Sequence, residues 1–318
     1  MDHHNRLGNL NLNQKTFNNL PLETIEHIVE YLDFESQTRL RRVSHGLRNI
    51  VDQVKPSINK LDIGFSKDQN YFKINFLSPY YCEDRETSFI EKVCQDIEFN
   101  DMKILLSNPR LQLETFECSE NGVELCENDQ KLIGQLNSLN HQLEITELTM
   151  LRLKMDTMIA LLKAIKPGTL EEINIDGGCW EGINCIDPMN INELMDLDQW
   201  KQAKRAKISG FSFDFSLHFH HFHRFEEFKI SVGSLTLADF LIMRNVFSEN
   251  PNFKQCFIST KIKPSTEEIE EALGLSNGLF RFPVIGQCKI PNSNEILEFI
   301  SYELSGLPFI IRRYAKNL

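Results

Sequence analysis

Apolar residues recur at steps of three and four near the start of the chain and mostly at steps of two beyond it. This pattern predicts a short helical opening followed by a long alternation of strands and helices. In the opening, Leu22, Ile25, Ile28, Val29 and Leu32 fall along one helical stripe, and Pro21 suits the first turn. Asp33 and Ser36 break that helix and can cap the next. Leu40, Val43, Leu47, Ile50, Val51 and Val54 then repeat the period as far as Pro56, whose ring and missing N–H end a helix. Two or three helices within residues 20–55 are too few to close a core, since domains below about 40 residues usually need outside support. Something else must cover the remaining apolar face.

Beyond this unit, alternation predicts strands over 60–65, 71–77, 113–119, 145–153, 170–176, 204–211, 225–232 and 253–260. Helical periods lie between most of them, over 89–106, 131–139, 155–165, 191–203 and 237–247. From 113 onward the strands begin roughly 20 to 35 residues apart, near the period of leucine-rich-repeat units, without the strict consensus. The expected fold class is therefore α/β: a three-helix unit, then an irregular leucine-rich-repeat-like α/β solenoid whose units must stack to bury their apolar faces. Segments 279–286, 295–304 and 308–315 come without helices between them and predict an antiparallel finish. The implied organisation is a disordered, Asn-rich tail over 1–19, the helical unit over 20–55, connecting elements over 56–112 and a main body over 113–318.

The 318 residues, 41% hydrophobic and 25% charged, fit a soluble globular chain of about two domains. A net charge of -11 argues against a general nucleic-acid binder, because neutralising phosphates needs a surplus of Lys and Arg. The local cluster Arg39, Arg41, Arg42 and Arg48 reads as the solvated face of a helix. Neither a secretory apolar segment nor a membrane span stands out, so the expected location is intracellular, in cytoplasm or nucleus. Eight scattered cysteines without a C-x-x-C pair are read as reduced core thiols, not as disulfides or zinc ligands.

Three motifs point towards chemistry. Gly274 to Gly278 match the G-x-S-x-G pattern, with Ser276 as nucleophile, but that elbow needs a strand before the serine and a helix after it. Here a helical pattern precedes and a strand pattern follows, no histidine lies beyond His223, and Gly274 reads as a helix terminus. The run from His218 to His223 holds four histidines, but a strand or helix brings at most two of them together, fewer than a zinc site takes. Its Phe219, Phe222, Phe225 and Phe228, three apart, predict a buried ridge with histidines at the margin. Gly177 and Gly182 have phosphate-loop spacing, but Ile183 and Asn184 replace the lysine and hydroxyl that the chemistry requires. No catalytic residue, metal or cofactor is expected.

The Leu20-Pro21 start, the Ile25, Ile28 and Leu32 stripe, Leu40, and the Val43-Ser44 pair with Arg48 resemble the F-box of substrate receptors in SCF-type ubiquitin ligases. Leu47 stands where many F-boxes carry Trp. Residues 195–208 around Trp200, 166–175 and the Phe/His stretch 217–230 are similar to the FTH domain that follows the F-box in a nematode-expanded family. The resemblance implies a non-catalytic receptor. Leu20, Pro21, Ile25, Ile28, Leu32, Leu40, Val43, Ser44, Leu47 and Arg48 would bind a Skp-family adaptor and through it a cullin, while the body holds an unknown protein substrate for ubiquitination. The alternatives are an F-box scaffold without a degradation role, and a hydrolase using Ser276.

Overall fold

The computed structural model describes residues 20–66, 71–75, 99–121, 127–177, 191–210, 214–275, 284–301 and 308–315. Three short helices lead: α1 (Leu22–Glu30), α2 (Phe34–Arg41) and α3 (His45–Gln53). Side-chain caps set their spacing. Asp33 accepts from the Ser36 N–H at 2.7 Å, and Ser44 Oγ accepts from the Leu47 N–H at 3.2 Å.

Strands β1 (Lys60–Ser66), β2 (Tyr71–Asn75), β3 (Gln112–Asn121), β4 (Glu144–Leu151), β5 (Glu172–Asp176), β6 (Arg205–Ser209), β7 (Glu227–Ser234) and β8 (Gln255–Ile262) follow. Between them lie α4 (Phe99–Leu106), α5 (Glu127–Asn137), α6 (Met155–Ala164), α7 (Ile191–Met195), α8 (Asp198–Gln202), α9 (Phe215–His218) and α10 (Leu237–Glu249). Helix α11 (Thr266–Leu273) precedes β9 (Val284–Lys289), β10 (Glu295–Ile300) and β11 (Phe309–Ala315). The period over 191–203 predicts one helix, but the chain breaks into α7 and α8 because Leu197 takes an extended backbone and starts a new helix. The histidine run forms the end of α9 and a 3₁₀ turn, Phe219–His221, and the rest of the Phe/His stretch leads into β7 at Glu227.

All eleven strands form one sheet in the order β2-β1-β3-β4-β5-β6-β7-β8-β11-β10-β9. From β1 through β3 to β8 the strands are parallel and follow sequence order. The last three pair antiparallel, with β11 against β8. Parallel strands that follow one another in one direction place their connecting helices on the same face when the crossovers share the usual right hand. The core agrees: Leu61, Phe116, Leu148, Ile173, Ala206, Phe228 and Cys256 sit side by side in register and are all buried in one cluster with the helix residues. Their sequence neighbours on the other face are largely polar, so among the described residues these parallel strands carry helices on one side, whereas most all-parallel sheets are covered on both.

The helical unit joins the sheet without a free linker. Val54, Pro56 and Ile58 are buried, Phe34 packs on the main core, and Asn108 Nδ2 donates to the Val54 carbonyl at 3.2 Å. Gln37, almost fully buried, donates to the Val29 carbonyl at 2.9 Å and to Ser57 Oγ at 3.3 Å, and Ser57 Oγ donates to the Leu32 carbonyl at 2.9 Å. This places the unit in a fixed orientation on the sheet edge.

Candidate functional site

The N-terminal helices have a small core of their own, made of Ile25, Val29, Leu47, Val51 and Val54, with Leu20, Leu40 and Ile50 packed against it. Helices α2 and α3 are clasped by Arg41, whose Nε and Nη2 reach the two carboxylate oxygens of Asp52 at 2.6 and 3.2 Å. A fork of this kind fixes orientation better than a single contact. Several large apolar side chains remain in solvent: Leu22 is 52%, Ile28 37%, Tyr31 57% and Val43 70% exposed. At 100° per residue, Ile28 and Tyr31 extend one flank of the buried Ile25/Val29 stripe and Leu22 extends the other. Val43 lies in the turn between α2 and α3.

The ten residues singled out from the sequence therefore fall into distinct groups. Ile25 and Leu47 are inside the unit, where they hold α1 against α3. Leu20, Leu32, Leu40 and Arg48 are half-buried, and Arg48 Nε is buried with no partner among the described residues. Ser44 is exposed and caps α3. Pro21, Ile28 and Val43 are the members of the set with exposed apolar surface. Leu22 and Tyr31, absent from that set, are among the most exposed; for Leu22 the signal was its place on the stripe, and for Tyr31 it was its step of three from Ile28.

The open face of the sheet is a second continuous surface. One register row runs Lys60, Thr115, Glu147, Glu172, Arg205, Glu227, Gln255, Arg312 and Glu298. Glu172 is its hub, receiving Arg205 Nε at 2.8 Å and Lys207 Nζ at 2.6 Å. Burial pushes the Glu172 carboxyl up, but the bonds from Lys207, Arg205 and Asn174 outweigh it and hold the group at about 2. Gln255 donates to Glu227 at 3.2 Å.

Behind the sheet, the FTH-like motifs meet. Trp200 is fully buried, stands edge-on to Phe222 and Phe225, and donates from Nε1 to the His221 carbonyl at 3.4 Å. Phe219, Phe222, Phe225 and Phe228 are all buried, and Phe247 packs on Phe219, Phe228 and Phe253. The histidines border this ridge: the rings of His220 and His221 lie 3.8 Å apart, and burial, with His220 adding to it, lowers His221 to about 4. A groove of about 400 Å³ beside them is lined by Phe215, Ser216, Phe219, His220, His223, Ile242 and Val246. Among the described residues no three His, Cys, Asp or Glu side chains are grouped to hold a metal.

Ser276 lies outside the described residues, while Gly274 before it ends α11 at a positive φ of 59°. In the glycine-rich loop, Gly177 donates to the Ser209 carbonyl at 2.9 Å and residues 178–190 lie outside the description. Cys118, Cys256 and Cys288 are free thiols, each pushed up by burial; the other five cysteines and the 1–19 tail are outside it. No helix among the described residues is long and apolar enough to cross a membrane.

Comparison with known families gives two matches along the chain. The F-box domain matches residues 17–59 and the FTH domain matches residues 128–276. F-box A protein 224 of Caenorhabditis elegans is 21% identical over 281 residues, spanning 81% of this chain and 69% of that protein.

Proposed function

Since this chain is an F-box protein with an FTH domain, we propose that it is a non-catalytic substrate receptor of an SCF-type cullin ubiquitin ligase. The F-box docks on a Skp-family adaptor and brings the chain to a cullin. The sheet domain holds a protein target while other subunits transfer ubiquitin.

The observation that carries this reading is the exposed apolar surface of Ile28, Tyr31 and Val43 on a unit that buries only five apolar side chains of its own. Exposed apolar patches rimmed by polar residues mark interaction sites, and aromatic side chains are common anchors within them. In this account Ile25 and Leu47 act indirectly, by fixing the helices that present those anchors, and Ser44 does so by starting α3.

The sequence order of the parallel strands supports reading the body as a leucine-rich-repeat-like solenoid. A repeated detail adds to that support: the Asn59, Glu171 and Glu226 carbonyls, just before β1, β5 and β7, accept from two successive N–H groups in or just before the neighbouring strands β3, β6 and β8. Stacked units of this kind leave one broad face for a partner. The fixed F-box junction through Gln37 and Ser57 would hold that face at a set distance from the adaptor.

Reconstitution tests the reading. The full chain, the adaptor, a cullin, its RING subunit and a ubiquitin-conjugating enzyme are combined and ubiquitin transfer is followed. Transfer to a bound protein or to the receptor itself, lost with the Ile28→Asp variant, is expected. An adaptor complex that supports no transfer would instead favour a scaffold role.

A further inference from the structure

The register that builds the open face sets Lys207 of β6 directly beside Lys229 of β7, with Phe257 of β8 next in the row. Neighbouring strands are about 4.8 Å apart, and like charges directly opposite one another weaken a sheet. Glu172 balances Lys207 at 2.6 Å. Lys229 is exposed and makes no ion pair among the described residues, and the same holds for Lys261 of β8 and Arg312 of β11. The adjoining row places Ser231 beside Ser259, and Phe257, half-buried, lies between Lys229 and the buried Ile310 of β11. In a chain of net charge -11 this excess of positive charge is local.

We propose that the open face over β6 to β8 and β11 binds an extended, carboxylate-rich segment of the recruited protein. Asp or Glu side chains would face Lys229, Lys261 and Arg312, and an apolar residue would lie on Phe257. The inference rests on reading the body as the target-holding part. Charge complementarity decides the occupant: it must be anionic, because the cations left over here outnumber the acids. Carboxylates fit better than a phosphate group. Phosphate sites converge Arg forks or free backbone N–H groups on one point, whereas these cations are spread along three strands. A nucleic acid would meet the acidic β3 to β5 part of the same face, at Glu117, Glu147 and Glu172.

Panning a random dodecapeptide display library against the full chain tests this. The expected winners are rich in Asp and Glu and carry an apolar residue. Their synthetic peptides should bind about tenfold or more weakly to Lys229→Glu, keep their affinity for Lys229→Arg, and weaken with rising salt. No enrichment, winners without acidic bias, or acidic winners indifferent to Lys229→Glu overturn the proposal. So does tighter binding of the serine-phosphorylated peptide, or of a single-stranded RNA probe that Lys229→Glu abolishes. Adaptor affinity is read on the same protein samples: a negative peptide result with adaptor binding intact overturns this inference alone, whereas a chain with no adaptor affinity overturns the receptor reading beneath it.

Discussion

The rings of Trp200 and Phe225 stand perpendicular, their centroids 5.2 Å apart and their planes at 89°. Residues from α8 and from the Phe/His stretch are thereby locked together at the centre of the sheet domain. Perpendicular aromatic pairs are worth about 0.5–1.5 kcal/mol beyond the area they bury. Trp200→Ala should destabilise the chain by about 3–5 kcal/mol, as large-to-small core changes do. Adaptor affinity should not change, since the F-box core is separate. Urea unfolding and adaptor titration on the same variant check both halves of the expectation.

Gln37 is the polar counterpart of that lock. Its amide bridges the Val29 carbonyl and Ser57, so replacing it by Leu leaves buried polar groups unpaired at the junction of F-box and sheet. The expected cost is about 1–3 kcal/mol. Amide exchange followed by mass spectrometry should show faster exchange in α1 to α3 and around Ser57, with strands β4 to β8 unaffected.

Gly286 on β9 tests the packing of the antiparallel end. A Cβ there would lie 2.7 Å from Leu275 Cβ, an atom fixed to the main chain that cannot swing aside. Gly286→Ala should therefore lose about 1–3 kcal/mol, the range for overpacking a filled site. A thermal melt suffices to measure it.

Histidines lowered by burial and a paired carboxylate contribute to the acid limb of stability. His221 is held below the usual histidine value by burial and by His220, with His218 and Arg224 acting in the same direction and Asp196 against them. The unfolded chain then binds the proton first, so stability is fully present above about pH 6.5 and falls as pH drops towards about 4. His218 is also lowered by burial, so its contribution likewise falls as pH drops below about 6.5. Glu172 follows the carboxylate case: its contribution is present above about pH 4.5 and is lost as pH falls towards about 2. Unfolding midpoints across pH should lose slope between 6.5 and 4 in His221→Gln, and between 4.5 and 2 in Glu172→Gln.

Strands β1 to β8 were legible because each shows one apolar and one polar face, and a period of two survives whatever lies above it. The break between α7 and α8 was not, since Leu197 keeps the apolar period while its backbone leaves the helix. The F-box stripe was readable as a stripe, but periodicity alone does not divide it. Ile25 turned inward and Ile28 outward because α3 covers only part of the arc. The pairing of Lys207 with Lys229 depends on a register set by the intervening α9 and 3₁₀ turn, and separate segments carry no sign of it. For the Phe/His stretch, the threefold spacing of phenylalanines did announce a buried ridge, which the 3₁₀ turn, the residues after it and β7 supply together.

The receptor role depends on the exposed apolar flank of α1 acting as a dock. Calorimetric titration of a Skp-family adaptor into the full chain and into Ile28→Asp tests it most directly. Ile28 is exposed enough for Asp to leave the free fold intact, so the unfolding midpoint should stay where it is. The affinity should fall about thirtyfold or more, the loss of roughly 2 kcal/mol or greater that follows removal of an interface anchor. Equal affinity of the two proteins for the adaptor would contradict the account.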